Sequence, residues 1–169
     1  VRLIQAFVRA EVAAHTRLVI VGQAQWQASD VMAAIDAAGL GDSVKLTGYV
    51  SDDDLVALYS GAALFCYPSL YEGFGLPVLE AMACGAPVVA SETTSIPEVA
   101  GDAALLVDPH QVADLARAMR AVLDDDGLAA SLRQRGLARA AAMTWERTAE
   151  QTAACYRKAL GDSQKGGRL

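Results

Sequence analysis

Short apolar segments alternate with helix-length segments along most of this chain, and this alternation limits the possible fold more than any other feature. Five segments rich in valine, leucine and alanine are predicted to be strands: Leu18–Val21, Val44–Thr47, Ala63–Tyr67, Pro87–Ala90 and Ala104–Val107. Continuous apolar strands between helices are typical of a parallel sheet that is covered on both faces. We therefore predict an α/β domain with one parallel sheet and helices on both of its faces.

Helical spacing of apolar residues fills the segments between these strands. It predicts helices over residues 3–14 and 29–38, and Ser51 is expected to cap a helix whose first turn carries three aspartates. Pro77 suits the first position of the next helix, and Ile96–Val99 is predicted to be a short turn. After the fifth strand, the rest of the chain is predicted to be helical.

The last predicted helix runs from Trp145 to Leu160 and carries an apolar stripe that we expect to face the core. The residues of that stripe are Trp145, Ala149, Thr152, Cys155, Tyr156 and Ala159. Residues 161–169 are polar and glycine-rich and are expected to form a flexible tail. We therefore predict a single domain over residues 1–160. Because helical spacing is already present at Val1, we expect the chain to be a fragment of a longer protein.

Charge and cysteine content narrow the class of protein. The 169 residues carry a formal net charge of −6, which argues against binding nucleic acid through a broad basic surface. Cys66, Cys84 and Cys155 lack the spacing of metal ligands and are expected to be buried free thiols in a reducing cytoplasm. No apolar segment approaches the ~18 residues of a membrane span. Any attachment to the inner membrane is therefore expected through a region outside this chain.

One loop concentrates the residues that suggest chemistry. Ligands bind beyond the carboxyl ends of the strands of a parallel sheet, and residues 68–77, after the third strand, read Pro-Ser-Leu-Tyr-Glu-Gly-Phe-Gly-Leu-Pro. Gly73 and Gly75 allow backbone amides to approach a ligand closely, and the following helix start offers unpaired N–H groups and a partial positive charge. We expect the amides between Phe74 and Val78 to converge on a diphosphate.

Two glutamates flank this loop, Glu72 within it and Glu80 in the helix that follows. A carboxylate beside a phosphate would be repelled, whereas it accepts hydrogen bonds readily from sugar hydroxyls, including the vicinal pair of a ribose. The pattern therefore indicates phosphate in the middle and hydroxyl-bearing groups on either side. Each feature alone also suits a tight, solvated loop, and it is their combination that favours a site. Thr94 and Ser95, beyond the fourth strand, are candidate phosphate contacts.

The sequence of this segment resembles a known family signature. Glu72-Gly-Phe-Gly-Leu-Pro-Val-Leu-Glu80, continued by Ala81-Met-Ala-Cys-Gly-Ala-Pro-Val-Val89, is similar to the signature of the retaining glycosyltransferases of family four, the large group 1 family. Four other segments resemble further blocks of that family in the same order: Leu18–Gly22, Gly48–Ser51, Ile96–Val107 and Thr144–Glu146. The resemblance extends over residues 3–160, and its central motif is highly specific.

This resemblance implies the GT-B architecture, in which two Rossmann-like domains face each other across a cleft, with this chain as the C-terminal, donor-binding half. It implies that Glu80 holds the ribose hydroxyls of a nucleotide and that Glu72, as the catalytic residue, holds a hydroxyl of the transferred sugar. The remaining donor-binding residues that it indicates are Gly22, Tyr49, Val50, Ser69, Gly73, Phe74, Gly75, Leu76 and Leu79. Tyr49 and Val50 would flank the base, and Gly22 would line the floor of the cleft.

The family's reaction transfers a hexose from a nucleoside diphosphate sugar to an acceptor hydroxyl with retention at the anomeric carbon. The resemblance implies no cofactor and no metal, with GDP-mannose and UDP-glucose as the leading donors. The acceptor, a glycan, a lipid or a small molecule, would be bound by the missing N-terminal half, and the basic residues that grip the diphosphate lie outside this chain. We expect the isolated domain to bind donor weakly and to transfer no sugar.

Two alternatives remain open at this point. A sugar-nucleotide epimerase can share the two-domain architecture, and it would isomerise the donor without an acceptor. A non-catalytic module that binds a nucleotide sugar would bind donor without turnover. A dehydrogenase is disfavoured because the sequence after the first strand, Gly22-Gln-Ala-Gln25, lacks the glycine triplet of the dinucleotide fingerprint.

Overall fold

The chain folds as the predicted alternation of strands and helices, as seen in a computed structural model that describes residues 1–22 and 28–165. In chain order the elements are α1 (Arg2–Ala10), β1 (Leu18–Val21), α2 (Ala28–Ala37), β2 (Val44–Gly48), α3 (Asp52–Gly61), β3 (Phe65–Tyr67), α4 (Leu76–Ala83), β4 (Val88–Ser91), α5 (Ile96–Ala100), β5 (Ala104–Val107), α6 (Val112–Asp124), α7 (Asp126–Ala141) and α8 (Trp145–Lys165). Every strand pairing among the described residues is parallel, which confirms the predicted fold class.

The strands form two hydrogen-bonded groups among the described residues, whereas the sequence predicted one continuous sheet. β1 pairs with β2, and β4 lies between β3 and β5. The strands are short, with three residues in β3 and four in β1. A common core still connects them, because Ile20 of β1 packs against the same buried cluster that contains Val89 of β4 and Val107 of β5.

Buried side chains of β4 and α5 pack against α4, and this packing fixes the position of the loop that precedes α4. All four residues of β4 are buried, as are Val78, Ala81 and Met82 of α4. Ile96 of α5 belongs to the same buried cluster. A Cβ on Gly136 of α7 would lie 3.2 Å from Met82 Cγ, so a glycine permits the close approach of α7 to α4. The beginning of α4 is therefore held by packing from several elements.

Two predicted helix ends and the type of one predicted element were wrong. The first helix was predicted over residues 3–14, but α1 ends at Ala10, because Glu11 adopts the left-handed conformation with φ 58° and donates its N–H to Val8. The segment predicted as a turn at Ile96–Val99 forms the short helix α5. The last helix continues to Lys165 rather than ending at Leu160.

The apolar stripe of α8 does not face the core, which corrects the prediction. Trp145 is 73% exposed and Tyr156 is 68% exposed, and the other four residues of the stripe, Ala149, Thr152, Cys155 and Ala159, are exposed as well. The core is already covered by α6 and α7, whose side chains include the buried Leu115, Met119 and Leu132. Amphipathic spacing shows which residues share a helix face, but it does not show what that face contacts.

The cysteines are free thiols as predicted, but they are not uniformly buried. Cys155 is exposed on α8, whereas Cys66 and Cys84 are half-buried. Burial of the Cys66 thiol raises its pKa to about 12. Across the part of the chain that the structure describes, no helix combines the length and apolar character needed to cross a membrane.

Candidate functional site at the start of α4

The loop between β3 and α4 ends in a backbone conformation that requires glycine. Gly75 caps the N-terminus of α4 with φ 100° and ψ 40°, a region that residues with a Cβ rarely adopt. A Cβ at this position would also lie 3.4 Å from Ile96 Cγ1. Gly73 has neither constraint, since a Cβ there would meet no atom within 4 Å and its φ is not in the left-handed region.

A run of backbone amides is left available where the loop meets α4. The N–H groups of Val78 and Leu79 donate to the Gly75 carbonyl at 3.0 and 3.5 Å. The prediction that the amides as far as Val78 converge on a ligand therefore extended too far. Within residues 1–22 and 28–165, the N–H groups of residues 73–76 donate to no protein acceptor. Unpaired amides at a helix start favour an anion such as a phosphate.

Residues after β4 hold this loop in place. Ser95 Oγ lies 3.0 Å from the Glu72 carbonyl oxygen and 2.9 Å from the Phe74 carbonyl oxygen, to which its hydroxyl donates. Thr94 Oγ1 accepts the Glu72 N–H at 3.1 Å, and Thr94 itself has φ 58°. Thr94 and Ser95 were candidate phosphate contacts, but both hydroxyls are bonded to the loop. They act as loop supports.

Glu72 is held by two hydroxyl groups. Its Oε1 accepts a hydrogen bond from the Tyr67 hydroxyl at 2.6 Å and another from Ser69 Oγ at 2.9 Å. Burial and the bond to Glu72 raise the pKa of Tyr67 well above its ordinary value, so the phenol is protonated and donates at neutral pH. Ser69 was predicted as a donor-binding residue, and the structure places it against Glu72.

Glu80 is exposed on α4 and contacts a tyrosine of α3. Tyr59, which is buried, donates its hydroxyl hydrogen to Glu80 Oε2 at a long distance of 3.4 Å. Burial, together with the negative charge of Glu80, raises the pKa of Tyr59 to about 12. Because Glu80 is exposed, its carboxylate is available to a ligand.

A cleft of about 480 Å³ opens beside the loop and the exposed side of α4. One wall contains four of the predicted site residues: Phe74, Leu76, Leu79 and Glu80. The opposite wall comes from the end of α7 and the start of α8, and its residues include Met143, Thr144, Trp145, Arg147, Thr148 and Gln151. The sequence prediction missed this second wall, because it assigned the apolar residues of α8 to the core.

The remaining predicted residues, Gly22, Tyr49 and Val50, lie at the end of the other strand pair. The Gly22 N–H donates to the Gly48 carbonyl at 3.0 Å, which brings together the carboxyl ends of β1 and β2. Tyr49 follows directly and is 76% exposed. These residues do not line the cleft beside α4, and neither do Ser69, Glu72, Gly73 and Gly75.

This arrangement suits a ligand with an anionic centre and hydroxyl groups on both sides of it. The N–H groups of residues 73–76, which lack a protein acceptor among the described residues, are donors that suit an anion, and Glu72 and Glu80 provide acceptors for hydroxyls. Among the described residues, no group of three or more histidine, cysteine, aspartate or glutamate side chains is arranged to hold a metal ion.

Comparison with protein families and curated sequences identifies relatives. The profile of the family described as glycosyl transferases group 1 matches residues 1–139. The O-antigen chain mannosyltransferase B of Escherichia coli is 43% identical over 141 residues, which are 83% of this chain and 37% of that protein. The MMP alpha-(1->4)-mannosyltransferase of Mycolicibacterium hassiacum is 41% identical over 126 residues, 72% of this chain and 31% of that protein. The chain thus spans less than two-fifths of either relative.

Solved structures of other proteins have a similar fold. Sucrose-phosphate synthase from Thermosynechococcus elongatus superimposes with a TM-score of 0.78 and 33% sequence identity, over 94% of this chain and 42% of the other. HepE from Anabaena, solved in complex with UDP-glucose, has the same TM-score of 0.78 at 24% identity, over 92% of this chain and 44% of the other. At that identity the second match supports the fold alone.

Proposed function

This chain belongs to the glycosyl transferases group 1 family, and from that membership we propose that it is the donor-binding half of a hexosyltransferase. In this proposal the loop before α4 binds a nucleoside diphosphate sugar. The full enzyme transfers the hexose to an acceptor hydroxyl with retention at the anomeric carbon. The acceptor, a glycan, a lipid or a small molecule, binds to a second, N-terminal domain of a GT-B enzyme.

The free amides of residues 73–76, between two acidic side chains, carry this proposal. These N–H groups have no protein acceptor among the described residues, and they lie at the positive end of the α4 dipole, where a diphosphate is stabilised. Glu80 is assigned to the ribose hydroxyls because it is exposed and lines the cleft. Glu72 is assigned to a hydroxyl of the transferred sugar, with Leu79 and Ser69 beside the donor and Tyr49, Val50 and Gly22 near the base.

Mannose is the sugar that we propose for the donor, as GDP-mannose. Three relatives above 40% identity are named mannosyltransferases. UDP-glucose is the second candidate, because the resemblance to the group 1 family implies it as well as GDP-mannose. The leaving diphosphate is stabilised by the loop amides and the helix dipole, without a metal. We further propose a cytoplasmic location, where nucleotide sugars are available.

A thermal-shift screen of nucleoside diphosphate sugars tests the proposed ligand class. At ten times its dissociation constant, a ligand that binds only the folded state adds about 1.4 kcal/mol of stability. GDP-mannose is expected to raise the melting temperature of the chain, and the Glu80→Ala variant is expected to lose most of that shift, because it loses a charge-assisted hydrogen bond worth about 1.5–3 kcal/mol.

Glu98→Ala is the matched control, because Glu98 is an exposed glutamate outside the cleft. It should retain the full shift. If neither GDP-mannose nor UDP-glucose stabilises the wild-type chain, the proposed function is wrong. If a donor stabilises the wild type and Glu80→Ala equally, the assignment of Glu80 to the ribose is wrong.

A further inference from the structure

An aromatic cluster lies behind the two glutamates of the site and contacts both. The ring of Tyr59 packs edge-on against Phe65, with 5.1 Å between the ring centroids. Phe65 is stacked on Tyr67 at 5.8 Å. The two outer members of this cluster are the tyrosines that donate to Glu80 and Glu72, respectively. One packed unit of α3 and β3 thus supports both acidic side chains.

The hydrogen bonds of Glu72 select which of its oxygen atoms a ligand meets. Both hydroxyl donors, from Tyr67 and Ser69, bind the same oxygen, Oε1. Oε2 accepts no hydrogen bond from any described residue. A carboxylate with one oxygen held by two donors has a fixed orientation, and its second oxygen keeps its full capacity to accept.

We propose that Tyr67 is a positioning residue for sugar recognition, which orients Glu72 so that Oε2 accepts a hydroxyl of the transferred hexose. Tyr59 has the corresponding, weaker role at Glu80, toward the ribose. This inference rests on the proposed function, and it adds residues outside the loop that decide how tightly the hexose, as distinct from the nucleotide, is bound.

The geometry predicts an unequal contribution from the two tyrosines. The bond from Tyr67 to Glu72 is 2.6 Å long and is accompanied by a second donor, whereas the bond from Tyr59 to Glu80 is 3.4 Å long and stands at the limit of hydrogen bonding. Burial raises the pKa of both phenols, so both remain donors at neutral pH. We therefore expect the loss of the Tyr67 hydroxyl to matter more.

Calorimetric titration measures the affinity of the chain for GDP and GDP-mannose, and for UDP and UDP-glucose. Comparing the two members of each pair separates the contribution of the hexose to binding from that of the nucleotide. Tyr67→Phe keeps the ring and its stacking on Phe65 but removes the donor. It is expected to weaken binding of the sugar nucleotide by roughly 5- to 20-fold while changing the affinity for the nucleoside diphosphate by less than about twofold. Ser69→Ala should show the same selectivity to a smaller extent. Tyr156→Phe, at an exposed position of α8, is the control and should change neither affinity.

The outcomes distinguish this inference from the function on which it rests. Binding of neither ligand by the wild-type chain would overturn both. If the wild-type chain binds both the nucleoside diphosphate and its sugar conjugate, and Tyr67→Phe binds both with unchanged affinities, only the positioning role is overturned. An equal loss for both ligands in Tyr67→Phe would indicate a general structural effect and would also overturn it, since a role toward the hexose requires a selective loss.

Discussion

The Gly75→Val variant is expected to lose about 2–3 kcal/mol of unfolding free energy and to lose measurable binding of a nucleoside diphosphate sugar. Gly75 has φ 100°, and a Cβ there would lie 3.4 Å from Ile96 Cγ1. A β-branched residue disfavours this φ and adds methyl groups toward a buried side chain. Relief of the strain would move the amides of residues 73–76, so binding should fall with stability. Urea denaturation and calorimetric titration measure the two effects.

Gly73→Val is the matched control for this variant. A Cβ on Gly73 would meet no atom within 4 Å, and its backbone does not adopt a positive φ. Its unfolding free energy should therefore change by less than about 0.5 kcal/mol. If the two valine variants lose the same stability, the conformation assigned to the start of α4 is incorrect.

Phe7→Ala is expected to cost about 3–5 kcal/mol of unfolding free energy, because it removes a large side chain from a packed core. Phe7 is 1% exposed and belongs to the cluster that joins α1 to α6 and to the strands. A loss of this size is a large fraction of the stability of an ordinary domain. Urea denaturation followed by circular dichroism measures it.

Val8→Ala, one residue further along α1, serves as the control. Val8 is 43% exposed, so its truncation should cost less than about 1 kcal/mol. A loss below about 1 kcal/mol for Phe7→Ala as well would show that α1 does not pack on the core in solution.

The strands and the site loop could be predicted because their signals are local. The segments around Ile20, Val89 and Leu105 are apolar throughout, and strand-forming residues in that pattern predict a parallel strand regardless of what lies elsewhere. Their burial varies, because β4 is fully buried whereas Val19 and Val21 of β1 are about 40% exposed. The loop before α4 combines two glycines with a proline at the first turn of a helix, and this chemistry also depends only on neighbouring residues.

Features that depend on distant contacts could not be read in the same way. The hydroxyl of Ser95 reaches the carbonyl of Phe74 across 21 positions of the sequence, and Tyr59 reaches Glu80 from another helix. No spacing rule connects such residues. Tyr67 was the exception that sequence could have indicated, because it is the last residue of β3 and directly precedes the loop.

The apolar stripe of α8 also depends on distant contacts, because the helix was predicted correctly but its burial was not. Its spacing is helical and α8 does form, but Trp145 and Tyr156 are exposed. Whether an amphipathic helix is buried depends on whether a free apolar surface lies beside it, and here α6 and α7 already cover the core. The consequence for function is direct, since Trp145 lines the cleft that also contains Glu80.

The central claim is that the amides of Gly73, Phe74, Gly75 and Leu76 bind a diphosphate, and titration of a ¹⁵N-labelled chain with GDP and UDP, followed by amide NMR, tests it most directly. We predict saturable chemical-shift changes that are largest at these four N–H groups, because each gains a charged acceptor. Saturable binding that leaves all four resonances unmoved, or the absence of saturable binding by either nucleotide, would contradict the account.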